Sequence, residues 1–342
     1  MSKVRILSID GGGIRGILPG MIMTRLEEKL QNHSNDENTR LADYFDFFAG
    51  TSTGGILTLS YVIPDKKGRP LLTAKQSVDL YLDRGNAIFD VNLWQNVNSL
   101  FGIADEKYDE HELEKALQDT FKDCWLSDLI KPCIISAFNV TNGKPHFFKQ
   151  HKSANKIFNF KVKDVARATS AAPTYFEVAR VNNQLGTPYP LIDGGVFANN
   201  PTMVAYSEAR NMTFEGKTTR PTAKDMMIVS VGTGSQSKSY KYEDAKNWGQ
   251  LEWIKPVIDI MMSGSSISTD YHLNQIFDTL DEKDKTYYYR LEPKVITAEN
   301  AMDNATPDNL QRLKDDALTY IAEPAVDAML NEIAKRLVEN DN

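Results

Sequence analysis

Apolar runs alternate with amphipathic stretches through the first third of the chain. The runs Val4–Ile9 and Phe45–Ala49 are short and apolar, which predicts two buried strands. Between them, four apolar residues recur at helical spacing and predict a helix that opens at Pro19. These four are Met21, Ile22, Leu26 and Leu30. A second helix is expected from near Thr53, and the repeated strand–turn–helix units predict an α/β fold with a mostly parallel central sheet.

The middle of the chain continues this alternation with stronger turn signals. Thr73 and Gln76 form a capping-box pattern that predicts the start of a helix. The irregular segment from Phe89 to Tyr108 suits either a lid or a loop folded onto the body. The pattern then predicts a charged helix, a strand with its hairpin partner, a short helix and a short strand. They cover Asp109–Phe121, Pro132–Val140 with His146–Lys149, Val165–Ser170 and Leu191–Ile192.

The last third of the chain has a mainly helical pattern. Strands are predicted at Met226–Val231 and Tyr287–Leu291. One helix is expected over about Pro256–Phe277, and two more lie between Pro307 and Leu337. Within the first of these helices, the Met-rich stretch Val257–Met262 suits core packing better than a lipid-facing surface.

Net charge limits the kinds of partner that the chain can attract. The 342 residues have a formal net charge of −7, so there is no general electrostatic attraction to a nucleic acid polymer or to anionic lipid. Transient contact with a membrane surface would therefore depend on apolar side chains or on a local basic patch. The two cysteines lack the spacing of a metal or redox motif, which favours reduced thiols and a cytoplasmic protein.

No segment has the pattern of a secretion signal or of a membrane span. Met1–Lys3 lead directly into the first strand instead of an apolar leader. The nearest candidate for a span, Phe47–Ile63, contains three glycines and is shorter than the roughly 20 residues that a membrane helix needs. We therefore expect contact with a membrane from one side at most.

The first candidate for chemistry is Gly50-Thr51-Ser52-Thr53-Gly54, a G-x-S-x-G pattern between a predicted strand and a predicted helix. In a nucleophile elbow the serine occupies a sharp turn, and small residues two positions away avoid collisions. The N-terminus of the following helix adds partial positive charge where an alkoxide and an oxyanion would form. This context favours an elbow with Ser52 as nucleophile over a plain turn.

A glycine-rich turn, Asp10-Gly11-Gly12-Gly13-Ile14-Arg15-Gly16, follows the first strand. Consecutive glycines let the backbone approach a ligand and direct N–H groups toward it. Gly11, Gly13 and Gly16 match the G-x-G-x-x-G pattern of dinucleotide sites, but no acidic residue ends a second strand about 20 residues later. An oxyanion hole and a purely structural turn are the alternatives, and the proximity of Ser52 in the strand order favours the oxyanion hole.

The third candidate is Asp193-Gly194-Gly195, which follows the predicted strand at Leu191–Ile192. An aspartate at the carboxyl end of a strand lies at the edge of the sheet where open α/β folds bind ligands. Asp-Gly is also a common turn sequence, and taken alone this motif favours a turn.

Taken together and in this order, the three motifs resemble those of the patatin-like phospholipase family. A fourth match, Ala168–Phe176, resembles the family's Ala-Ala-Pro segment before its catalytic aspartate. The resemblance covers residues 4–210 and implies a three-layer α/β/α sandwich with its catalytic core in these residues. We expect residues 211–342 to complete the same domain with a last strand and helices, although no motif identifies the role of residues 216–342.

The resemblance implies a Ser–Asp dyad in which Ser52 is the nucleophile and Asp193 is the general base. The oxyanion hole is expected from the amides of Gly11, Gly12 and Gly13. Other motif residues would support the site. They are Arg15, Gly16, Gly50, Thr53, Gly54, Gly194 and Gly195. Arg15 suits three roles, namely holding the glycine loop, attracting a phosphate head group and forming a structural salt bridge.

The five histidines give an independent check on the dyad, because a Ser–His–Asp triad requires a histidine near Ser52. They are His33, His111, His146, His151 and His272. None follows a strong strand after Asp193, where the order of an α/β-hydrolase would place it. A carboxylate must then accept the serine proton directly, and burial is expected to raise the pKa of Asp193 from its ordinary value near 4.

The resemblance implies phospholipids, lysophospholipids and related acyl esters as substrates. The sequence contains no EF-hand or other series of calcium ligands, so we expect a cofactor-free enzyme without a metal site. The family leaves two rivals, which are a non-catalytic storage or binding protein and an antiphage effector phospholipase activated by a small nucleotide regulator. A dinucleotide-binding oxidoreductase is a further rival, and it would keep its function when Ser52 is replaced.

Overall fold

A sheet with a parallel centre organises the chain in the computed structural model, which describes residues 3–88, 110–234, 240–299 and 301–339. The strands of these residues are, in chain order, β1 (Val4–Ile9), β2 (Phe47–Thr51), β3 (Cys133–Asn139), β4 (Lys144–Lys149), β5 (Ala179–Asn182), β6 (Pro188–Asp193), β7 (Thr213–Phe214), β8 (Thr218–Thr219), β9 (Met226–Val231) and β10 (Tyr288–Leu291).

The main sheet has the strand order β10-β9-β1-β2-β3-β6-β5, and β4 pairs with β3 outside this path. The neighbours from β10 to β3 are parallel, whereas β4, β5 and β6 pair antiparallel. Every residue of β1 and β9 is buried, as expected for central parallel strands covered on both faces. The predicted mostly parallel sheet is confirmed, and both C-terminal strands belong to it.

Helices cover both faces of this sheet. Those of eight or more residues are α1 (Ile17–Ser34), α2 (Thr53–Val62), α3 (Ala74–Ile88), α4 (Glu110–Phe121), α5 (Val162–Thr169), α6 (Thr202–Ala209), α7 (Gln250–Asp278), α8 (Pro307–Ala322) and α9 (Pro324–Glu339). One-turn helices lie at Leu41–Tyr44, Gly195–Ala198, Tyr242–Ala245 and Glu282–Lys285.

Two apolar clusters lie on opposite faces of the sheet and define its layers. Leu7 and Ile9 of β1 pack with residues of α1, α2, α8 and α9. Val4 and Ile6 of the same strand pack with residues of α6 and the end of α7. Because successive strand side chains point to opposite faces, this division gives the predicted three-layer α/β/α sandwich.

The boundaries of some elements differ from the predicted ones. α1 begins at Ile17, two residues before Pro19, because the first turn of a helix does not need the N–H that proline lacks. α7 begins at Gln250 and contains Pro256 instead of starting there. The pattern missed β5 and the β7–β8 hairpin, since strands of two to four residues have too few positions to show alternation. The segment Phe89–Tyr108 lies outside the described residues.

α7 has an exposed apolar face as well as a buried one. Met262, Leu273 and Phe277 are buried, whereas six large apolar side chains are 40–69% exposed. The six are Trp253, Val257, Ile260, Met261, Ile267 and Tyr271. The expectation of core packing is therefore wrong for Val257, Ile260 and Met261, because a surface helix buries only one side. None of the helices within the described ranges is long and apolar enough to cross a membrane.

Candidate active site

Ser52 occupies a strained turn between β2 and α2. Its backbone angles are φ 54° and ψ −126°, a combination that residues other than glycine seldom adopt. The turn is tight, since a Cβ at position 54 would lie 2.2 Å from the carbonyl oxygen of Ile9 and one at position 50 would lie 2.4 Å from the oxygen of Gly54. Only glycine fits these two positions, as the G-x-S-x-G pattern predicted.

Thr169 connects this turn to the neighbouring strand. Its hydroxyl accepts a hydrogen bond of 2.8 Å from the N–H of Ser52 and donates one of 2.7 Å to the carbonyl oxygen of Ser136 in β3. The Thr169 side chain is completely buried. It therefore satisfies the backbone N–H of a residue whose conformation offers no helical or sheet partner.

Asp193 reaches the same place from the other side of β3. Thr51 lies opposite Ser136, and Asp193 lies opposite the next β3 residue, Ala137. This register brings Ser52, just beyond the end of β2, and Asp193, at the end of β6, to one edge of the sheet. Two side chains 141 positions apart, at 52 and 193, thereby line the same cavity.

The Asp193 carboxyl group is buried and held in place by one backbone bond. The N–H of Gly195 donates to Asp193 Oδ1 at 2.7 Å, while Oδ2 is buried without a hydrogen-bond partner among the described residues. Burial raises the pKa of Asp193 to about 7, an effect that the neighbouring Ser52 hydroxyl and the Gly195 N–H oppose. A carboxyl group with this pKa can exchange protons near neutral pH.

The glycine loop after β1 contacts the elbow directly. A Cβ at position 11 would lie 3.1 Å from Ser52 Cβ. The N–H of Gly11, however, donates to the carbonyl oxygen of Asn199 at 3.0 Å. Within the described residues, the N–H groups of Gly12 and Gly13 have no such partner. Of the three predicted oxyanion donors, Gly11 is therefore already engaged, whereas Gly13 lines the cavity that contains Ser52.

The remaining predicted residues surround these groups. Arg15 donates from Nε to the Gly12 oxygen at 3.4 Å and from Nη1 to the Gly234 oxygen at 3.1 Å, so it holds the glycine loop. Gly16 packs against Thr53, whose Oγ1 would lie 2.1 Å from a Cβ at position 16. Gly194 packs against Ser136, where a Cβ would lie 2.5 Å from the backbone carbonyl.

Among the residues that the structure describes, no histidine lines the cavity that contains Ser52 and Asp193. His146 is packed between Phe148 and Tyr189, and burial lowers its pKa to about 4. His151 contacts Glu208 at 2.9 Å, and His33 contacts Asn331 at 3.0 Å. The described residues also contain no group of three or more His, Cys, Asp or Glu side chains arranged to hold a metal ion.

The cavity around Ser52 and Asp193 is narrow and its walls are largely apolar. The apolar and aromatic lining residues are Ile56, Tyr81, Leu113, Ala172, Tyr175, Phe176, Met262 and Met302. Two of them, Met262 and Met302, belong to the C-terminal region. The carbonyl oxygen of Met302 also accepts a hydrogen bond of 2.9 Å from the N–H of Ile14, which attaches the C-terminal region to the glycine loop.

Sequence reasoning missed a buried ion pair beneath the glycine loop. Arg290 of β10 donates to both carboxylate oxygens of Asp10, at 3.1 and 2.6 Å, and also contacts Glu292. Burial raises the pKa of Asp10, and the guanidinium of Arg290 opposes that rise. Asp10 was visible as the residue before three glycines, but nothing in the sequence indicated which of many arginines would pair with it.

Comparisons with known proteins show the family of the chain. A sequence model of the patatin-like phospholipase family matches residues 7–206, more than half of the chain. The chain therefore belongs to the patatin-like phospholipase family.

Individual relatives match over most of the chain. Patatin-like protein 2 of Arabidopsis thaliana is 36% identical over 335 residues, covering 91% of this chain and 81% of that protein. Patatin-like protein 4 of the same plant is 33% identical over 329 residues, covering 91% and 81%. A Solanum tuberosum protein named Probable inactive patatin-3-Kuras 1 is 34% identical over 320 residues, covering 90% and 83%. Similarity of this extent thus includes a relative that is named a probable inactive patatin.

Proposed function

We propose that this chain is a lipid acyl hydrolase that cleaves carboxylic esters through an acyl-serine intermediate, with Ser52 as nucleophile and Asp193 as general base. The observation that carries the proposal is the meeting of a strained Ser52 with a buried Asp193 of pKa about 7 in one cavity. The absence of a histidine from that cavity favours a dyad over a triad.

The reaction begins with the serine hydroxyl. Ser52 Oγ attacks the ester carbonyl carbon while its proton passes to Asp193, and a tetrahedral intermediate forms. Collapse of the intermediate breaks the bond to the alcohol oxygen, which takes the proton from Asp193. Water then attacks the acyl-Ser52 ester and gives a proton to Asp193, which returns it to Ser52 as the fatty acid leaves.

The negative charge of the intermediate needs preorganised donors. The free N–H groups of Gly12 and Gly13 are the proposed oxyanion donors, supported by the N-terminus of α2. The N–H of Gly11 is bound to the carbonyl oxygen of Asn199, so it is not proposed as a donor. The role proposed for Gly11 is to let the loop approach Ser52 closely. Gly50, Gly54, Gly194 and Gly195 shape the turns, and Arg15 holds the loop.

The apolar cavity suits the acyl chain of a lipid ester, so phospholipids, lysophospholipids and related esters are the proposed substrate class. Contact with a lipid surface is proposed for the exposed face of α7, whose buried side supplies Met262 to the cavity. With a net charge of −7, this contact would rest on apolar burial.

Vesicle binding tests the membrane part of the proposal. The double variant Val257→Asp, Met261→Asp should sediment less with phosphatidylcholine vesicles. Leu185→Asp is the matched control. Leu185 is also exposed, but it lies in the β5–β6 loop, outside both α7 and the lining of the Ser52 cavity. If both variants sediment with the vesicles to the same extent as the native protein, the α7 face is rejected as the contact.

Hydrolysis of a chromogenic medium-chain ester tests the chemical part. Ser52→Ala and Asp193→Asn should each lower kcat by about 10³-fold or more. Ser60→Ala, in α2 and outside the cavity, is the matched control and should retain activity. Retained activity in either dyad variant, with the fold intact by circular dichroism, would reject its assigned role.

The relative named as a probable inactive patatin makes a non-catalytic binding protein the second candidate. A native protein that hydrolyses no ester and reacts with no fluorophosphonate would support that candidate. Activity that appears only after addition of a small nucleotide would instead support a nucleotide-regulated phospholipase.

A further inference from the structure

The carbonyl group of Gly11 is held by two side chains that take no part in the proposed dyad. Thr233 Oγ1 donates to the Gly11 oxygen at 2.7 Å, and Asn199 Nδ2 donates to the same oxygen at 3.3 Å. Both Thr233 and Asn199 are buried. A carbonyl oxygen has two lone pairs, and two buried donors to it fix the direction of the C=O bond.

The other polar group of Gly11 is also engaged, because its N–H donates to the backbone oxygen of Asn199 at 3.0 Å. Asn199 itself is attached to α7. Its Nδ2 donates to Ser266 Oγ at 3.1 Å, and its backbone N–H donates to Ser265 Oγ at 3.3 Å. Gly11 is therefore anchored on one side to α7 through Asn199 and on the other to Thr233.

Thr233 lies in the turn Gly232-Thr233-Gly234 that follows β9. It lines a second, larger and more polar cavity, which shares Met262 and Met302 with the narrow cavity around Ser52. Thr233 also packs against Gly12, since a Cβ at position 12 would lie 2.2 Å from Thr233 Oγ1. Its hydroxyl thus contacts two consecutive residues of the glycine loop.

Peptide geometry transmits this constraint to the proposed oxyanion donors. A peptide unit is planar and trans, so its N–H points opposite to its C=O. A fixed carbonyl of Gly11 therefore fixes the direction of the Gly12 N–H. The next unit is held in the same way, because the Gly12 oxygen accepts from the N–H and the Nε of Arg15, at 3.3 and 3.4 Å. That bond pair fixes the direction of the Gly13 N–H.

These two peptide units lie beside the proposed nucleophile. A Cβ at position 11 would lie 3.1 Å from Ser52 Cβ, and Gly13 lines the cavity that contains Ser52. Glycine has no Cβ to restrict rotation of its peptide units, so a loop of three glycines does not hold one orientation by itself. Oxyanion donors are effective only when they already point at the developing charge. The orientation must therefore come from outside the loop.

We infer that Thr233 is a positioning residue of the oxyanion hole, whose hydroxyl fixes the Gly11–Gly12 peptide unit so that the loop's N–H groups face the oxyanion. Asn199 is the second donor to the same carbonyl. This inference rests on the proposed function, because it explains how the proposed oxyanion donors are kept in place. It gives the region after residue 211 a part in the reaction.

A pair of variants that differ by one oxygen atom tests the role. Thr233→Ser and Thr233→Ala both lose the γ-methyl group, but only the alanine variant loses the hydroxyl. The alanine variant should have a kcat/KM on a soluble medium-chain ester about tenfold below that of the serine variant. Thr24→Ala is the matched control and should behave like the native protein. Thr24 also donates to a backbone carbonyl, that of Gly20 at 2.9 Å, and lines neither cavity.

Inhibitors separate orientation of the oxyanion donors from a general disturbance of the cavity. An octyl trifluoromethyl ketone forms a tetrahedral adduct with a nucleophilic serine and carries an oxyanion, so its Ki should rise by the same factor as kcat/KM falls. Octan-1-ol has no carbonyl group, and its Ki should be equal in the two variants. If Thr233→Ala does not fold by circular dichroism, Thr233→Cys replaces it, because a thiol is only a weak donor.

Equal kcat/KM and equal ketone affinity in the serine and alanine variants would overturn the positioning role while leaving the proposed function intact. A loss of octan-1-ol affinity as large as the loss of ketone affinity would also overturn it, because the substitution would then have deformed the cavity. A native protein that neither hydrolyses the ester nor binds the ketone would overturn the proposed function, and the positioning role with it.

Discussion

The two regions of this chain contribute to the candidate site in different ways. Residues 4–210 contain each sequence motif, and the proposed reactive groups Ser52 and Asp193 belong to them. The region after residue 211 contains no motif, yet it supplies Arg290 beneath the glycine loop and Met262 and Met302 in the cavity wall. Reactive chemistry therefore constrains the local sequence, whereas cavity walls and supporting contacts require only a side chain of suitable size or charge.

The largest effect should come from the dyad in the first region. Ser52→Ala or Asp193→Asn should raise the barrier to ester hydrolysis by about 4 kcal/mol or more, the equivalent of the 10³-fold loss. Steady-state kinetics on a soluble ester measure this loss. A similar loss of activity in Met262→Ala would contradict the distinction between a region that supplies the reactive groups and one that only supports them.

The second effect tests whether the C-terminal region stabilises the first one. Arg290→Met leaves Asp10 buried without its cation and should lower the free energy of unfolding by about 3–5 kcal/mol at pH 8. The pKa of Asp10 is already raised by burial and should rise further without Arg290. The folded variant then binds a proton more readily than the unfolded chain, so the deficit should shrink toward pH 5.

Urea denaturation at both pH values measures this deficit. Lys285→Met is the control, because it breaks an exposed pair with Glu282 and should cost less than about 1 kcal/mol. A deficit for Arg290→Met no larger than that of the control would show that the ion pair does not couple the two regions.

The third effect concerns Thr169, a residue of the first region that supports the Ser52 turn through its hydroxyl. Thr169→Val removes the hydroxyl that accepts from Ser52 N–H and donates to Ser136. The orphaned N–H should lower stability by about 1–3 kcal/mol and kcat about tenfold. Thr169→Ser keeps the hydroxyl and should restore most of kcat. Equal kcat for the valine variant and the native protein would mean that the elbow holds its shape unaided.

The fourth effect is the pH dependence of the dyad. As a general base, Asp193 must be deprotonated, and burial raises its pKa to about 7. The rate kcat/KM on a soluble ester should therefore fall about tenfold per pH unit below pH 7 and level off above it. A flat profile from pH 5 to 8, recorded on folded protein, would contradict a base with this pKa.

The smallest effect should come from the shared wall. Met262→Ala enlarges the apolar cavity next to the polar one and should shift the preference between short and long acyl chains by about tenfold at most. A series of nitrophenyl esters of increasing chain length measures the shift. An unchanged series would mean that Met262 does not contact the acyl chain.

The part of the site that could be predicted from sequence lies mainly in residues 4–210. Gly54, Ser52 and Asp193 could be found from sequence because an elbow and a strand-end turn limit which residues fit. The pairing of Asp10 with Arg290 could not, since two residues 280 positions apart are joined only by the order β10-β9-β1. The occupied N–H of Gly11 was equally hidden, because its acceptor is a backbone oxygen at Asn199.

The fold shows a similar limit. The long apolar strands β1 and β9 were predicted with their full bounds, since all their side chains are buried. The four-residue β5 was missed, because its pairing with β6 depends on a neighbour and not on its own pattern. The exposed face of α7 was also misjudged, since apolar content alone does not reveal which side of a helix meets the core.

Covalent labelling of the native protein and of Asp193→Asn with a fluorophosphonate, followed by peptide mass spectrometry, tests the proposed dyad directly. We predict one adduct on the peptide that contains Ser52, formed at least about 100-fold more slowly in Asp193→Asn. An adduct on another residue, or equal labelling rates in the two proteins, would contradict a proton shared between Ser52 and Asp193.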